Sequence, residues 1–189
     1  MILLPLTSDA ELRYWPFATG GLILLNIVAF FVQHSLPPIY LERFEDPGQM
    51  GQLQEMLLEL AGEEGIDASL FNEVKLPGYT PYILQYGEGL NPLQWLSSIF
   101  LHSDWAHLLG NLIFLWIFGH VVEGVTGPRW FLTLYLGMGI AQCAVEQLMF
   151  LGGDGGSLGA SSAIYALMMV AAWLSPRDNI QCLLYVIFR

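Results

Sequence analysis

Charge is what this sequence has least of. Lys, Arg, Asp and Glu make up 12% of its 189 residues, about half the share of an ordinary soluble domain. With six Lys and Arg in all and no basic run, it lacks the cationic face that nucleic-acid binding requires, and that class is set aside. Cysteine is equally sparse. Cys143 and Cys182 both lie in apolar stretches, which argues against a disulfide framework or a metal site and suits small buried hydrophobes. The opening MILLPLTSDAELRYW lacks the basic region of a signal peptide, and no small-residue cleavage site follows the next apolar run. That run is therefore expected to stay attached.

Apolar residues are abundant instead, at 54% of the chain with a mean hydropathy of +0.52. Read for charge-free length against a bilayer core of about 30 Å, the sequence is that of an all-α membrane protein. Its expected fold is a helical bundle of about four complete transmembrane helices plus part of a fifth. The spans fall at residues 17–33, 105–122, 130–151 (interrupted only by Glu146) and about 159–174, and a fifth begins near Ile180. Residues 1–16 form an N-terminal segment, and 95–189 form the main membrane domain. Because the last span stops after ten residues, the sequence reads as the N-terminal part of something longer. Arg13, Arg129 and Arg177 flank one side of this alternating topology, which the positive-inside tendency makes cytoplasmic, N-terminus included. Ten of the 17 acidic residues fall between 42 and 88, so residues 34–94 form an acidic extracytoplasmic loop. Leu53, Met56, Leu57 and Leu60 predict an amphipathic helix near 50–62, and prolines break the rest of the loop.

Polar residues inside the spans carry the functional argument, because such groups are costly in lipid and face a bundle interior or a wet cavity. In HSDWAHLLGNLIF, His107 and Asn111 are four apart and share a helical face; in GASSAIYAL, Ser161 and Tyr165 do the same. Two such stripes facing each other would enclose a site. Asn and His can donate toward a carbonyl oxygen gaining negative charge, and a serine beside a base can attack that carbonyl. Gly159 and the glycines before it would let backbone bend into the membrane and a substrate approach closely. The bland alternatives are a serine bonded to a carbonyl one turn earlier and interhelical glue from His107 and Asn111. A metal site from His102, Asp104, His107 and His120 has the wrong spacing.

From FLHSDWAHLLGNLIFLWIFGHVVEGVTG to GASSAIYALMM, residues 100–169, the sequence resembles the rhomboid intramembrane serine proteases, with His-x4-His-x3-Asn and Gly-x-Ser in that family's order. The resemblance implies a compact six-helix bundle with Ser161 as nucleophile at the start of a short fourth helix. It implies an oxyanion hole of Asn111, His107 and the Ser161 N–H. Tyr165 corresponds to the aromatic on which the catalytic histidine packs, His102 to a structural position before the helix, and Glu123 to a polar network at its far end. Transmembrane protein segments are the implied substrates, within the lipid bilayer, and no metal or organic cofactor is implied. The sequence departs from the family in three places. None of its four histidines follows Ser161, so the base of the Ser–His dyad is expected beyond residue 189; Ser162 stands where the family commonly has glycine; and residues 34–94 contain no Trp. Two readings follow: an intramembrane serine endopeptidase, or a catalytically inactive rhomboid-like protein that binds membrane-protein clients.

Overall fold

A computed structural model describes residues 2–8, 13–42, 73–87, 89–153, 155–176 and 180–185. The amphipathic helix expected near 50–62 lies outside the described residues. Two compact units are present, residues 34–80 on one hand and the flanking residues on the other. In the smaller unit, β2 (Ile39–Glu42) pairs antiparallel with β3 (Glu73–Leu76), where the prolines had suggested only loop.

The larger unit is built on helices. Its first, α1 (Phe17–Ser35), starts immediately after Pro16 and is inside-out relative to a soluble helix. Thr19, Leu22, Asn26, Phe30 and Gln33 form the buried stripe, while Leu24, Leu25, Val28, Phe31 and Val32 are exposed. Polar residues in and apolar residues out is the arrangement lipid selects, since a tail is as apolar as a leucine side chain and only packing and internal hydrogen bonds hold helices together. A short α2 (Pro92–Ser97) is capped by Asn91, whose side chain accepts from the Leu93 N–H. It leads to α3 (Trp105–Thr126), whose residues Leu115–Gly119 form a π turn. There Gly119 packs so closely on Thr19 that a Cβ would lie 3.1 Å from its side chain. Gly127, at φ +85°, ends that helix, and Pro128 at the first position opens α4 (Pro128–Met149). Phe131, Tyr135, Gly139, Cys143 and Gln147 line its buried face at four-residue spacing. Of the two glycines in α4, Gly139 meets Ile99 and Ala163 within 3.4 Å of a would-be Cβ, whereas Gly137 meets open space. The last helix is α5 (Ser161–Leu174).

Among the described residues, two helices, α1 and α3, are both long and apolar enough to cross a membrane. The 22 residues of α4 reach about 33 Å, but Gln142, Glu146 and Gln147 make one end polar. The 14 residues of α5 reach only about 21 Å, short of the bilayer core.

The expected fifth helix is corrected by the structure. Ile180–Tyr185 is a strand, β6, paired antiparallel with β1 (Ile2–Ser8), with a register shift between Pro5 and Thr7. Short apolar runs do not distinguish helix from strand by periodicity, and a segment of this length cannot sustain a helix on its own. A third strand pair, of two residues each, β4 (Leu84–Gln85) with β5 (Gly156–Ser157), ties the approach to α2 to the approach to α5. A Cβ at Gly156 would lie 2.2 Å from the Leu84 carbonyl oxygen, so that pairing requires glycine.

Candidate active site

The turn before α5 is held from both sides. The Tyr86 N–H donates to the Gly155 carbonyl (3.1 Å), the Gly152 N–H to the Tyr86 carbonyl (2.9 Å) and the Gly159 N–H to the Ser98 carbonyl (2.8 Å). Gly159 is buried at φ +124°, a conformation L side chains rarely adopt. A Cβ there would lie 2.7 Å from His107 Nε2 and 2.8 Å from Cε1. The missing side chain is the space into which the imidazole fits. The chain then enters α5 at Ser161, whose own N–H belongs to the unpaired, anion-favouring first turn of a helix.

His107 is set by the start of α3. Asp104 has extended backbone and accepts from the His107 N–H (2.9 Å), capping the helix. That N–H, followed by the Ser103 hydroxyl, holds the Asp104 carboxyl below its ordinary range. Ser103 Oγ lies 2.8 Å from Asp104 Oδ2 and 3.2 Å from His107 Nδ1. An ionised carboxylate only accepts, so the Ser103 hydroxyl donates to Asp104 and its oxygen is left to accept from His107 Nδ1–H. In that arrangement Nε2 carries a lone pair when the ring is neutral and donates only when it is protonated. Asn111 Nδ2 donates to the His107 carbonyl (3.1 Å), which fixes the amide and leaves its second N–H available.

His102 is fully buried, its ring edge-on to His107 with centroids 5.1 Å apart. Burial first, and then the neighbouring His107, push its pKa down to about 4. Its backbone is clasped by Gln33 of α1: the His102 N–H donates to Gln33 Oε1 (3.1 Å) and Gln33 Nε2 donates to the His102 carbonyl. Glu123 is buried at the far end of α3, where it accepts from the Ala18 N–H (2.8 Å), the Thr19 N–H (2.7 Å) and the Thr19 hydroxyl (2.8 Å).

Ser161 lines two adjoining cavities. One, of about 370 Å³, is mostly apolar and includes His107, Gly110, Asn111 and Tyr165; the other, of about 390 Å³, includes Ser98, Cys143, Glu146 and Ser157. The two stripes expected from the sequence therefore share a cavity, with Tyr165 largely exposed at its edge. Among the described residues, neither the Ser161 nor the Ser162 hydroxyl makes a hydrogen bond, so neither is spent on a carbonyl of the preceding turn. Gln33, Ser103 and Asp104 were not among the residues anticipated for the site. A signal existed for two of them: Asp104 stands three residues before His107, as a helix cap does, and Gln33 continues the heptad-spaced polar series Thr19, Asn26, Gln33.

A helical membrane protein with a serine, an amide and an imidazole around one cavity is the class that this fold and site define. Residues 91–188, slightly more than half of the chain, match the family described as Rhomboid domain, and the chain belongs to the rhomboid family. It is 36% identical over 78 residues to Rhomboid-like protein 11, chloroplastic, of Arabidopsis thaliana, covering 41% of this chain and 28% of that protein. It is 29% identical over 125 residues to Rhomboid protein 1, mitochondrial, of Saccharomyces cerevisiae, covering 61% of this chain and 36% of that one. The chain thus spans roughly a third of the length of these relatives. No solved structure matches it.

Proposed function

We propose that the chain carries the nucleophile and oxyanion hole of an intramembrane serine endopeptidase that cleaves transmembrane protein segments. The observation that carries this reading is the cavity shared by Ser161, His107 and Asn111, with Gly159 leaving room for the imidazole. Ser161 attacks the scissile carbonyl. A histidine from beyond residue 189 takes its proton and later returns it to the leaving amine. The Asn111 amide, the Ser161 N–H and His107, when protonated at Nε2, bind the oxygen as it becomes negative. Water reaches the acyl-enzyme through the second, more polar cavity.

The test is a fluorophosphonate probe applied to the full-length protein in liposomes, with Ser161→Ala and Ser162→Ala as comparisons. Labelling lost only in Ser161→Ala is the expected result. A folded, full-length protein that is not labelled would instead be a client-binding rhomboid-like protein.

A further inference from the structure

At the other end of α1 lies a third cavity, of about 510 Å³, away from every residue assigned to the reaction. Its rim carries Arg13, and its walls are Tyr14, Trp15, Phe17, Trp116 and His120. The cation is presented by fixed backbone: the Arg13 N–H (2.7 Å) and the Tyr14 N–H (3.0 Å) both donate to the Gly124 carbonyl near the end of α3. The Tyr14 ring lies over Gly127, where a Cβ would sit 3.4 Å from it. Trp15 and Phe17 are about four-fifths exposed and Trp116 about half, so the wall is open to the surroundings rather than closed by protein.

Three features select an occupant. Trp116 lies ten residues before the end of α3 at Thr126, a depth of about 15 Å along the helix. The cavity therefore runs from the level of a headgroup into that of an acyl chain. Among the described residues, no carboxylate pairs with the Arg13 guanidinium, and the nearby Glu123 is already engaged by three donors from α1. His120 stacks obliquely on Trp116 at 5.4 Å, and its Nδ1 is buried with no hydrogen-bond partner among the described residues. A fixed cation at an aromatic membrane boundary, above a lipid-exposed indole, is complementary to an anionic headgroup carrying a tail.

We propose that this cavity binds an anionic phospholipid, its phosphate on Arg13 and one acyl chain along Trp116. The site is independent of the proteolytic reading. It takes an intact lipid rather than free phosphate, because one guanidinium holds the phosphate and the aromatic wall supplies the remaining contact area.

The experiment is native mass spectrometry of the full-length protein in detergent, titrated with phosphatidylglycerol or phosphatidylcholine. Phosphatidylglycerol is expected to bind in preference, and Arg13→Gln to reduce that binding about fivefold, the effect of one cation near a membrane surface. Arg13→Lys should restore most of it, and Arg129→Gln, which removes an exposed arginine outside the cavity, should leave it unchanged. Equal binding by Arg13→Gln and wild type overturns the proposal, as does millimolar inorganic phosphate displacing the lipid, which would mark a free-anion site. A photoactivatable phosphatidylglycerol on the wild-type protein makes the test independent of any variant's folding. Crosslinks to the segment holding Trp116 and His120 support the site; crosslinks confined to other helices overturn it.

Discussion

Glu123 joins the two helices that are long and apolar enough to cross the membrane, and its removal gives the most sharply defined change in stability. The carboxylate is fully buried on α3 and accepts from two first-turn N–H groups of α1 and from the Thr19 hydroxyl, all within 2.8 Å. Those N–H groups have no intrahelical acceptor, and the positive end of α1 favours the negative charge facing it. In Glu123→Ala, the Thr19 N–H and hydroxyl lose a buried acceptor and the Ala18 N–H a half-buried one, at about 1–3 kcal/mol for each buried donor left unpaired; a total of about 3–5 kcal/mol is expected, as when one partner of a buried charge pair is removed. Glu123→Gln keeps the shape and one acceptor oxygen but turns an NH2 toward a donor, so it should lose about 1–3 kcal/mol. Thr19→Val removes only the hydroxyl donor, and combined with Glu123→Gln it should be less harmful than the sum of the two, by about 1 kcal/mol. Reversible unfolding of the full-length protein in mixed micelles measures all four variants. Glu123→Ala within about 0.5 kcal/mol of wild type, the ordinary range of neutral surface changes, would refute the view that this cluster holds α1 to α3.

Three further outcomes are expected at the site. Gly159→Ala puts a Cβ 2.7 Å from His107 Nε2 at φ +124°, so the ring must move by about 0.7 Å to reach ordinary contact; a shift approaching 1 Å can cost about 10² in rate. Normal fluorophosphonate labelling by this variant would show that the ring's position is immaterial. Asn111→Ala removes an amide whose second N–H is available to the cavity, and should lower kcat by about 10²–10³ without unfolding the protein; unchanged turnover in liposomes would take Asn111 out of the site. The His102 imidazole is held at about 4, against its ordinary 6.5, chiefly by burial. Its neutral form is thus favoured by folding, and its contribution is complete above pH 6.5 and lost as pH falls toward 4. The melting temperature of wild type should therefore drop more steeply over that window than that of His102→Asn, and parallel curves would contradict the assignment.

How much of this was legible in the sequence depends on whether a feature is local. The helices announce themselves as charge-free runs, and their ends shift by only a few residues: the run at 17–33 is helical to Ser35, and the one beginning at Trp105 continues to Thr126. Helical spacing likewise groups His107 with Asn111 and Ser161 with Tyr165, because four residues return a side chain to the same face. What spacing cannot give is the partner across the bundle. Gln33 meets His102 at a separation of 69 residues and Glu123 meets Thr19 at 104; each is visible as a polar residue in an apolar run, but a run names a face and not a neighbour. Glu146 shows the same limit. It stood out as the one charge in its span, and the structure gives it the Tyr86 hydroxyl and Gln142 as donors. The strand at 180–185 was missed because its partner, residues 2–8, lies at the opposite end of the chain.

The polar cross-links fall into two sets with different consequences. Glu123 and Gly119 hold α1 against the far end of α3, while Gln147 of α4 accepts from Trp95 Nε1 (2.6 Å) and the Asn91 N–H (3.1 Å) and donates to the Gln85 carbonyl (2.6 Å) beside the serine's turn. The second set ties α4 to the strand that pairs with the turn before Ser161. Ala163 of α5 packs at Gly139 of α4; Gly139 lies ten residues before the end of α4 at Met149 and Ala163 two residues after Ser161, which places Ser161 about 12 Å below that end of α4. The space above it is filled by the turn through Gly152, Gly155 and Gly159, which is pinned to residues 86 and 98 by backbone bonds rather than by apolar packing. Its glycines carry no side-chain bulk, and the Gly152, Gly153 and Gly159 N–H groups and the Gly155 carbonyl all have partners within the protein, so this backbone can border a wet cavity. Ser161 is thus recessed from the end of α4 yet lines both cavities, one walled mostly by apolar side chains and the other shared with Glu146 and Ser157.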